Sequence, residues 1–296
     1  MYKILKKELL AEKIYLMVVE APRVAANCLP GQFVIVKIDE VGERIPLTIC
    51  DYDRAAGTIT IVFQTVGASS QRMTYLNVGD GFQDFVGPLG MPSELCIEED
   101  LEETKKKNIV FICGGVGTAP VYPQVKWLKE HGVDCTVIQG SRNKDLLFMV
   151  DEMAAVAGKH CVCTDDGSYG FKGNGCQQLQ ALVDAGDKFD HCVAIGPMIM
   201  MKFVCLLTKE LNIPTIVSMN PIMVDGTGMC GACRLVVGDK VKFACVDGPE
   251  FDGHLVDFDK AMARMAQYKT EEGRAMLKLE EGNTHHGGCG NCGGDK

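Results

Sequence analysis

Two cysteines three positions apart, Cys230 and Cys233, lie in a glycine-rich stretch of this 296-residue chain, and a third, Cys245, follows after a short intervening segment. Asp225 precedes them in the same stretch. Sulfurs on such a loop and on a short hairpin can turn towards one point, as a [2Fe-2S] cluster needs. The spacing is that of the plant-type pattern C-x4-C-x2-C…C, with Asp225 in place of the first cysteine. The segment therefore predicts a cluster held by Asp225, Cys230, Cys233 and Cys245.

Two simpler interpretations apply to the same residues. A Cys-x2-Cys pair with two further ligands can form a structural zinc site, although zinc ribbons usually pair two such knuckles and here the second half is a single cysteine. Asp225 can also be only a turn residue, which would leave one iron in need of water or an outside group. As a ligand, Asp225 carries the formal charge of a thiolate but is a harder donor. It should therefore change the potential and the lability of the cluster.

The composition is that of a soluble globular protein, with 47% hydrophobic and 23% charged residues. The length allows two or three domains with their own cores. A formal net charge of −9 argues against a nucleic-acid partner, and the lysine run at 105–107 lies among acidic residues, which predicts a solvated linker. No stretch has the character of a signal peptide or a membrane span. Fifteen cysteines in such a chain predict a reducing, cytoplasmic location with most thiols buried.

The pattern of residues 1–97 predicts an antiparallel β-barrel. Short β-branched or alternating runs at 14–19, 33–38, 47–50 and 58–63 are separated by turns that contain Pro, Gly and Asp, and strands at this spacing are typical of small barrels. After the fourth run, Ser69 or Ser70 is expected to cap a short helix. A helix N-terminus on a barrel rim can hold a pyrophosphate, although an ordinary capped helix explains the same residues.

A different pattern predicts an α/β Rossmann-like domain over residues 106–220. The apolar run at 108–113 predicts a buried parallel strand, and a Gly-rich turn leads from it into a helix at 121–131. Further strands are expected at 133–138, 160–164, 193–195 and 213–218. The loops after four of these strands should meet at the carboxyl edge of one sheet, where such folds bind ligands. The candidate nucleotide-binding residues on these loops are Gly114, Gly115, Val116, Gly117, Thr118, Ala119, Pro120, Ser141, Arg142, Asp165, Asp166, Gly167, Gly196, Pro197 and Met198.

The rest of the chain is expected to comprise the cluster loop, residues 221–258, and a C-terminal segment, residues 259–296. A polar helix with an Ala/Met stripe is expected from 259 to about 279, packed against a domain or a partner. The tail after it contains His285, His286, Cys289 and Cys292. These side chains suit a metal, but Gly-rich sequence at a chain end favours disorder.

A flavin-type barrel, a nucleotide sheet and a C-terminal [2Fe-2S] hairpin subdomain, in this order, resemble the ferredoxin–NADP reductase superfamily. Within it, the chain resembles the small subunits of the NADH-dependent reduced ferredoxin:NADP oxidoreductases, also called sulfide dehydrogenase small subunits. It is more distantly similar to the electron-transfer subunits of dihydroorotate dehydrogenase B. The resemblance covers residues 1 to about 275 and rests on the motifs at 44–48, 114–120, 164–170 and 196–198 and on the loop of Asp225, Cys230, Cys233 and Cys245. The aspartate favours the first family, whose cluster has three Cys ligands and one Asp.

The resemblance implies FAD in the barrel. Pro46, Leu47 and Thr48 would lie along the isoalloxazine, with Val62, Phe63 and Gln64 on the next strand and Gly67, Ser69 and Ser70 at the pyrophosphate. The family motif has an arginine directly before the proline, whereas Arg44 stands one position earlier, so the expected contact of Arg44 with FAD departs from the pattern.

The pyridine nucleotide is implied to bind on the loops named above. An acidic residue for the ribose hydroxyls is missing after the second strand, and Arg142 there suits the 2′-phosphate of NADP(H). The resemblance points instead to NADH. NAD(H) is therefore the expected nucleotide and NADP(H) the alternative.

The implied enzyme is an NAD(P)H-dependent flavin iron–sulfur oxidoreductase without acid–base catalytic residues. Hydride would pass from NAD(P)H to FAD, and single electrons would then pass through the cluster to a large flavin/iron–sulfur partner subunit, reversibly and with ferredoxin reached indirectly. An electron-bifurcating ferredoxin:NAD(P) oxidoreductase is one such complex. The alternatives are a dihydroorotate dehydrogenase B subunit, a sulfide or polysulfide reductase subunit, and a nucleotide-binding scaffold with zinc in the cysteine loop.

Overall fold

A computed structural model of the chain describes residues 1–281. The predicted metal-binding or disordered tail, with Cys289 and Cys292, lies outside the described residues. The strands are β1 (Tyr2–Ala11), β2 (Ile14–Glu20), β3 (Phe33–Lys37), β4 (Ile45–Asp53), β5 (Thr58–Gln64), β6 (Gly81–Phe82), β7 (Asp84–Leu89), β8 (Ile109–Gly114), β9 (Thr136–Ser141), β10 (Lys159–Thr164), β11 (Phe171–Lys172), β12 (His191–Ile195), β13 (Thr215–Ser218), β14 (Arg234–Val237), β15 (Lys240–Phe243) and β16 (Glu250–Asp252). The α-helices are α1 (Pro22–Asn27), α2 (Ala68–Met73), α3 (Leu101–Thr104), α4 (Thr118–Glu130), α5 (Val150–Val156), α6 (Gly175–Asp184), α7 (Met198–Glu210), α8 (Ala244–Asp247), α9 (Phe258–Met265) and α10 (Lys269–Glu280).

The N-terminal strands form a nearly closed antiparallel barrel in the order β6-β1-β2-β5-β4-β3-β7. Alternating residues such as Met17, Val19, Ile59 and Ile61 point inwards and are fully buried, as expected of strands with one face on a core. The four predicted strands are confirmed as β2 to β5. The structure adds β1, β6 and β7, which the sequence analysis did not identify.

The second sheet has the order β11-β10-β9-β8-β12-β13-β16, and all its pairs are parallel except that of β13 with β16. Successive residues of β8 serve opposite faces: Ile112 packs in a cluster with Leu179 of α6 and Met201 of α7, and Phe111 packs with Val125 of α4. This three-layer arrangement explains why the strands are apolar throughout. It confirms the predicted Rossmann-like sheet.

The cluster loop leads into the β14–β15 hairpin, and α8 and β16 return the chain to the edge of the parallel sheet. Cys233, Leu235, Ala244 and Cys245 are buried in the same core cluster as α6 and α7. The fold is therefore a barrel, a parallel α/β sheet and a C-terminal hairpin, as expected.

Two local predictions are wrong. The N-cap of α2 is Gly67, not Ser69 or Ser70, and Ser70 instead supports the cap, because its hydroxyl accepts the backbone N–H of Gly67 at 3.0 Å. The expected single helix from residue 259 to about 279 is two helices, α9 and α10. Of these two helices only α9 has buried residues, so the chain beyond α9 does not continue along the core. Within the part of the chain that the structure describes, no helix is long and apolar enough to span a bilayer.

Candidate functional site

The sulfurs of Cys233 and Cys245 face each other at 3.2 Å in the interior of the cluster loop. Both residues are buried, whereas Cys230 is exposed. Burial, followed by the hydrogen bond and charge of Cys233, raises the pKa of the Cys245 thiol to about 12. No positive charge stabilises the thiolate form of this pair. A metal ion would supply that charge and displace the thiol protons. The pair therefore suits two thiolate ligands on one iron.

Cys230 lies in a different electrostatic setting. The backbone N–H of Ala232 is the largest cause that lowers the pKa of the thiol, and the N–H groups of Asp225 and Val224 add to it, while burial and the charge of Asp225 act in the opposite direction. N–H groups aimed at a sulfur favour its anionic form. Cys230 is therefore prepared to act as a thiolate at the exposed side of the loop.

Asp225 combines a turn with a free carboxylate oxygen. Its Oδ2 atom accepts hydrogen bonds from Thr227 Oγ1 at 2.6 Å, Thr227 N at 2.9 Å and Met229 N at 3.0 Å. The Thr227 hydroxyl is the largest cause of a lowered pKa of Asp225. Its Oδ1 atom takes part in no hydrogen bond within residues 1–281. The two sequence interpretations of Asp225 are thus compatible, because one oxygen fixes the turn and the other remains available to a metal.

The arrangement fits a two-iron cluster better than a single zinc ion. In a [2Fe-2S] cluster each iron takes two protein ligands, whereas a structural zinc ion takes four in a closed tetrahedron. Among the described residues, no three His, Cys, Asp or Glu side chains surround a common point closely enough to hold one ion. Cys233 and Cys245 form one pair of ligands, and Asp225 and Cys230 form the other. This arrangement matches a cluster in which each iron has two protein ligands.

Arg44 joins the barrel to the cluster loop. Its Nε atom donates to Val224 O at 2.6 Å and its Nη2 atom to Asp225 O at 3.4 Å, and Nη1 lies 3.5 Å from Asp84 Oδ2. The guanidinium group is therefore engaged with the loop that carries the candidate cluster ligands. Its expected contact with FAD stays a prediction.

Gly226 allows the cluster loop to pack closely on the barrel. It has φ +85°, and a Cβ atom there would come within 2.7 Å of Ile35 and 2.8 Å of Leu89. Glycine tolerates both the left-handed backbone and the close approach. The loop is consequently seated against β3 and β7, next to the strand that carries Pro46, Leu47 and Thr48.

The predicted flavin residues lie on adjacent strands and the following helix. Pro46, Leu47 and Thr48 are half-buried on β4, while Val62 and Phe63 on β5 are buried. The side chains of Thr48 and Gln64 have no hydrogen-bond partner within residues 1–281, which leaves them available to a ligand.

The end of the predicted flavin site at α2 is partly open. The space beside Gly67 is empty to 4 Å. The Ser69 hydroxyl donates to Glu43, and the Ser70 hydroxyl is occupied by the cap. A cavity of about 500 Å³ lies elsewhere, on the outside of the barrel beside Lys126, and none of the predicted site residues lines it.

The loops after β8 and β12 lie against each other at the edge of the parallel sheet. A Cβ atom on Gly117 would lie 2.2 Å from Ile195 O, and one on Gly196 would lie 3.1 Å from Gly114 O. Gly115, with φ +54°, faces open space. This loop, Gly114 to Pro120, therefore stays close to the sheet and exposes backbone to a ligand, which is what a phosphate site needs. Pro197 and Met198 begin α7 beside it.

The loops after β9 and β10 also come together. Asp165 N donates to Ser141 O at 3.1 Å and Asp166 N to Arg142 O at 3.2 Å. The Ser168 hydroxyl and N–H bind Asp166 and lower the pKa of its carboxyl group. Gly167, with φ +77°, completes the turn. The side chains of Arg142 and Asp165 form no hydrogen bond with any described residue, so they are free to bind a nucleotide.

The nucleotide loop packs on the barrel. Ala119 and Val116 share a hydrophobic cluster with Val62 of β5 and Cys50 of β4. The barrel strands are therefore contacted by the nucleotide loop at β4 and β5 and by the cluster loop at β3 and β7. The structure brings the three predicted groups of site residues together around one barrel.

Sequence reasoning missed two contributors to this site. Thr227 orients Asp225, and the Asp-x-Thr order of a turn was a usable signal, since Asp and Thr side chains commonly bond to nearby backbone in turns. The contact of Arg44 with the cluster loop joins residues 180 positions apart. No local signal could have found it.

Comparison with known proteins gives concordant results. Residues 220–257 match the iron–sulfur cluster binding domain of dihydroorotate dehydrogenase B. A Clostridium beijerinckii relative named "Uncharacterized protein in adh 3'region" is 64% identical over 298 residues, with 100% of both chains covered. A chain in the solved structure of an NADH-dependent reduced ferredoxin-NADP oxidoreductase, described for flavin-based electron bifurcation, is 43% identical, with a TM-score of 0.87 and coverage of 95% of this chain and 98% of that chain.

The family follows from a further relative. A Thermotoga maritima protein, named as a homolog of the electron transfer subunit of dihydroorotate dehydrogenase B (NAD(+)), is 45% identical over 276 residues, covering 91% of this chain and 92% of the relative. The chain therefore belongs to the family of dihydroorotate dehydrogenase B electron transfer subunits and their homologues, within the ferredoxin–NADP reductase superfamily.

Proposed function

We propose that this chain is the small, electron-transferring subunit of a ferredoxin:NAD(P) oxidoreductase complex, in which it exchanges electrons between NAD(P)H, FAD, a [2Fe-2S] cluster and a larger flavin/iron–sulfur partner subunit. The observation that carries the proposal is the pairing of the Cys233 and Cys245 sulfurs. The same segment contains Asp225, one of whose carboxylate oxygens is free, and Arg44 ties that part of the loop to the barrel. The 43% identical chain of the bifurcating ferredoxin-NADP oxidoreductase supports the same function.

Bound FAD would accept two electrons as a hydride and pass them on singly, which matches a cluster that takes one electron at a time. The residues of the chain contribute position and charge. The loop Gly114 to Pro120 would hold the nucleotide phosphates at the start of α4, and Thr48 and Gln64 would donate to or accept from the flavin ring. Asp225, Cys230, Cys233 and Cys245 would hold the two irons, with the N–H groups around Cys230 stabilising negative charge.

The nucleotide is proposed to be NAD(H). Arg142 is free to meet a 2′-phosphate, but Asp165 on the neighbouring loop is equally free and disfavours a second negative charge beside it. No disulfide bond joins cysteines within residues 1–281, which supports work in the reducing cytoplasm.

The test is anaerobic purification of the full chain with its cofactors. We expect bound flavin, two irons per chain and a rhombic paramagnetic signal after dithionite, and we expect NADH to bleach the flavin faster than NADPH in single turnover. Zinc in place of iron, or a flavin that neither nucleotide bleaches, would refute the proposal. Capture of the native complex would then identify the partner subunit by its flavin and iron content.

A second candidate function is that of the electron-transfer subunit of a dihydroorotate dehydrogenase. The Thermotoga maritima relative and the matched cluster domain both bear that name. Co-purification with an FMN-containing subunit and reduction of the cluster by dihydroorotate would support this alternative. A partner with FAD and additional iron–sulfur clusters would support the first.

A further inference from the structure

The carboxyl group of Glu250 has no role in the site described above. Glu250 begins β16, five residues after Cys245. Its Oε1 atom accepts a hydrogen bond from Gln124 Nε2 at 2.7 Å, while its Oε2 atom is buried without a hydrogen-bond partner among the described residues. The residue as a whole is half-buried, so the carboxyl end is its enclosed part. A buried, unpartnered carboxylate oxygen is unfavourable when ionised.

Three segments meet at this carboxyl group. Gln124 lies on α4, which starts with the nucleotide loop. Ser93 lies in the connection from the barrel to the parallel sheet and donates to Gln124 Oε1 at 3.2 Å. Both side chains are fully buried, at 0% exposure. Glu250 itself follows the cluster hairpin, so the hydrogen-bonded chain of Ser93, Gln124 and Glu250 joins all three parts of the fold.

The charges around Glu250 are negative or neutral. Glu94 and Cys96, in the same connection as Ser93, are the titratable groups that face it. His191 Nε2 lies 3.9 Å from Glu94 Oε1, but burial lowers the pKa of His191 to about 4, so this imidazole is neutral near pH 7. No ion pair within residues 1–281 includes Glu250. Burial is the largest cause that raises the pKa of Glu250 to about 7, whereas the polar neighbour Ser93 and the hydrogen bond from Gln124 lower it.

The backbone between Cys245 and Glu250 is held on both sides. Met91 N donates to Gly248 O at 2.6 Å and Met219 N to Pro249 O at 2.8 Å. Five residues span at most about 18 Å, so charge added at Cys245 acts on Glu250 from that distance or less. At an effective dielectric constant of roughly 20, one unit charge at about 18 Å changes a proton affinity about fivefold.

We propose that Glu250 is the proton acceptor coupled to reduction of the cluster that Asp225, Cys230, Cys233 and Cys245 hold. When one electron reaches the cluster from the flavin, Glu250 binds one proton from solvent more tightly, so that the added negative charge is offset. When the electron leaves for the partner subunit, the proton returns to solvent. By reciprocity, protonated Glu250 raises the reduction potential of the cluster. This inference rests on the proposed function, which supplies the electron.

The test measures the cluster potential against pH in the purified holoprotein, with the paramagnetic signal as the readout. In the wild-type chain the potential should fall as the pH rises from 5 to 9, by about 40 mV for a fivefold coupling at 59 mV per tenfold. Glu250→Gln keeps an acceptor for Gln124 but cannot ionise, so its potential should stay at the low-pH value of the wild type throughout. The matched control is Glu210→Gln, which removes an exposed carboxylate at the end of α7 and should keep the wild-type dependence.

A second variant keeps the inference testable if Glu250→Gln does not fold. Gln124→Leu removes a hydrogen bond that lowers the pKa of Glu250, so the pH range over which the potential falls should move upwards. A pH-independent wild-type potential, an unchanged dependence in Glu250→Gln, or a range that does not move in Gln124→Leu would each overturn the inference while leaving the proposed function intact. Absence of the cluster signal from wild-type protein would overturn both.

Discussion

Replacement of Glu250 by glutamine should also change how the stability of the resting protein depends on pH. The carboxyl group has a pKa of about 7 in the fold against 4.5 when exposed. The difference of about 2.5 units corresponds to about 3.4 kcal/mol at 1.36 kcal/mol per unit. Because Glu250 as a residue is half-buried, partial solvent screening reduces this, and we expect about 2 kcal/mol.

The sign follows from where the proton is held more tightly. The folded chain keeps the Glu250 proton to a higher pH than the unfolded chain does, so this stability is fully present below pH 4.5 and is lost as the pH rises through about 7. The amide of the variant does not titrate and would carry no such dependence. Relative to the wild type, Glu250→Gln should therefore gain about 2 kcal/mol of unfolding free energy between pH 4.5 and pH 8.

The assay is thermal unfolding of both proteins, loaded with the same cofactors, at half-unit steps from pH 4.5 to 8. At roughly 2 °C per kcal/mol for a chain of this size, the gap between the two melting temperatures should widen by about 4 °C across the range. Any constant cost of the new amide cancels in this comparison. Glu210→Gln, at an exposed site, should follow the wild type. Parallel melting curves for wild type and Glu250→Gln would show that the carboxyl group titrates normally and would refute the reasoning.

Three further perturbations test the site. Asp225→Asn replaces an anionic oxygen ligand by a neutral amide, so iron content per chain should fall severalfold while flavin content, measured in the same sample, is unchanged; full iron retention would mean that Asp225 is only a turn residue. Gly117→Ala places a Cβ atom 2.2 Å from Ile195 O, so NADH affinity from flavin-reduction kinetics should drop at least about tenfold because the loop must move; unchanged affinity would place the nucleotide elsewhere. Arg44→Met removes the bond to Val224 O, so iron should be lost to a chelator several times faster, whereas equal rates would show that the loop holds itself.

The sequence alone was sufficient to predict the secondary-structure elements whose hydrophobic pattern is strong and local. The apolar run that became β8 needs both faces covered, and this allows few structures other than a central parallel strand. By contrast, β1 was missed because Lys3, Lys6, Lys7 and Glu8 interrupt its apolar residues without a regular alternation, and only pairing with β2 and β6 makes this segment a strand. The break between α9 and α10 was missed for a related reason, since it depends on where the core ends.

The candidate site divides in the same way. Cys230, Cys233 and Cys245 were identifiable because cluster ligands must follow a fixed spacing, and the glycine loop because phosphates require close backbone. The contacts that hold these groups to one another cannot be recognised from any pattern in the sequence. Arg44 is joined to Val224 and Glu250 to Gln124 across more than a hundred residues, and such partners become visible only when the domains are packed.

These long-range contacts determine whether the parts can work together. A chain that converts a two-electron donor into single electrons must keep its nucleotide, its flavin and its cluster at fixed separations. The barrel is contacted by both of the other groups: Ala119 of the nucleotide loop packs on Val62, and Gly226 of the cluster loop packs on Ile35. The flavin residues predicted on β4 and β5 therefore lie between the nucleotide loop and the cluster loop. Loosening the contact of either loop with the barrel should slow electron transfer without removing any cofactor. Arg44→Met weakens the contact between the barrel and the cluster loop. If this variant still passes electrons from NADH to the cluster at the wild-type rate, the barrel does not set these separations.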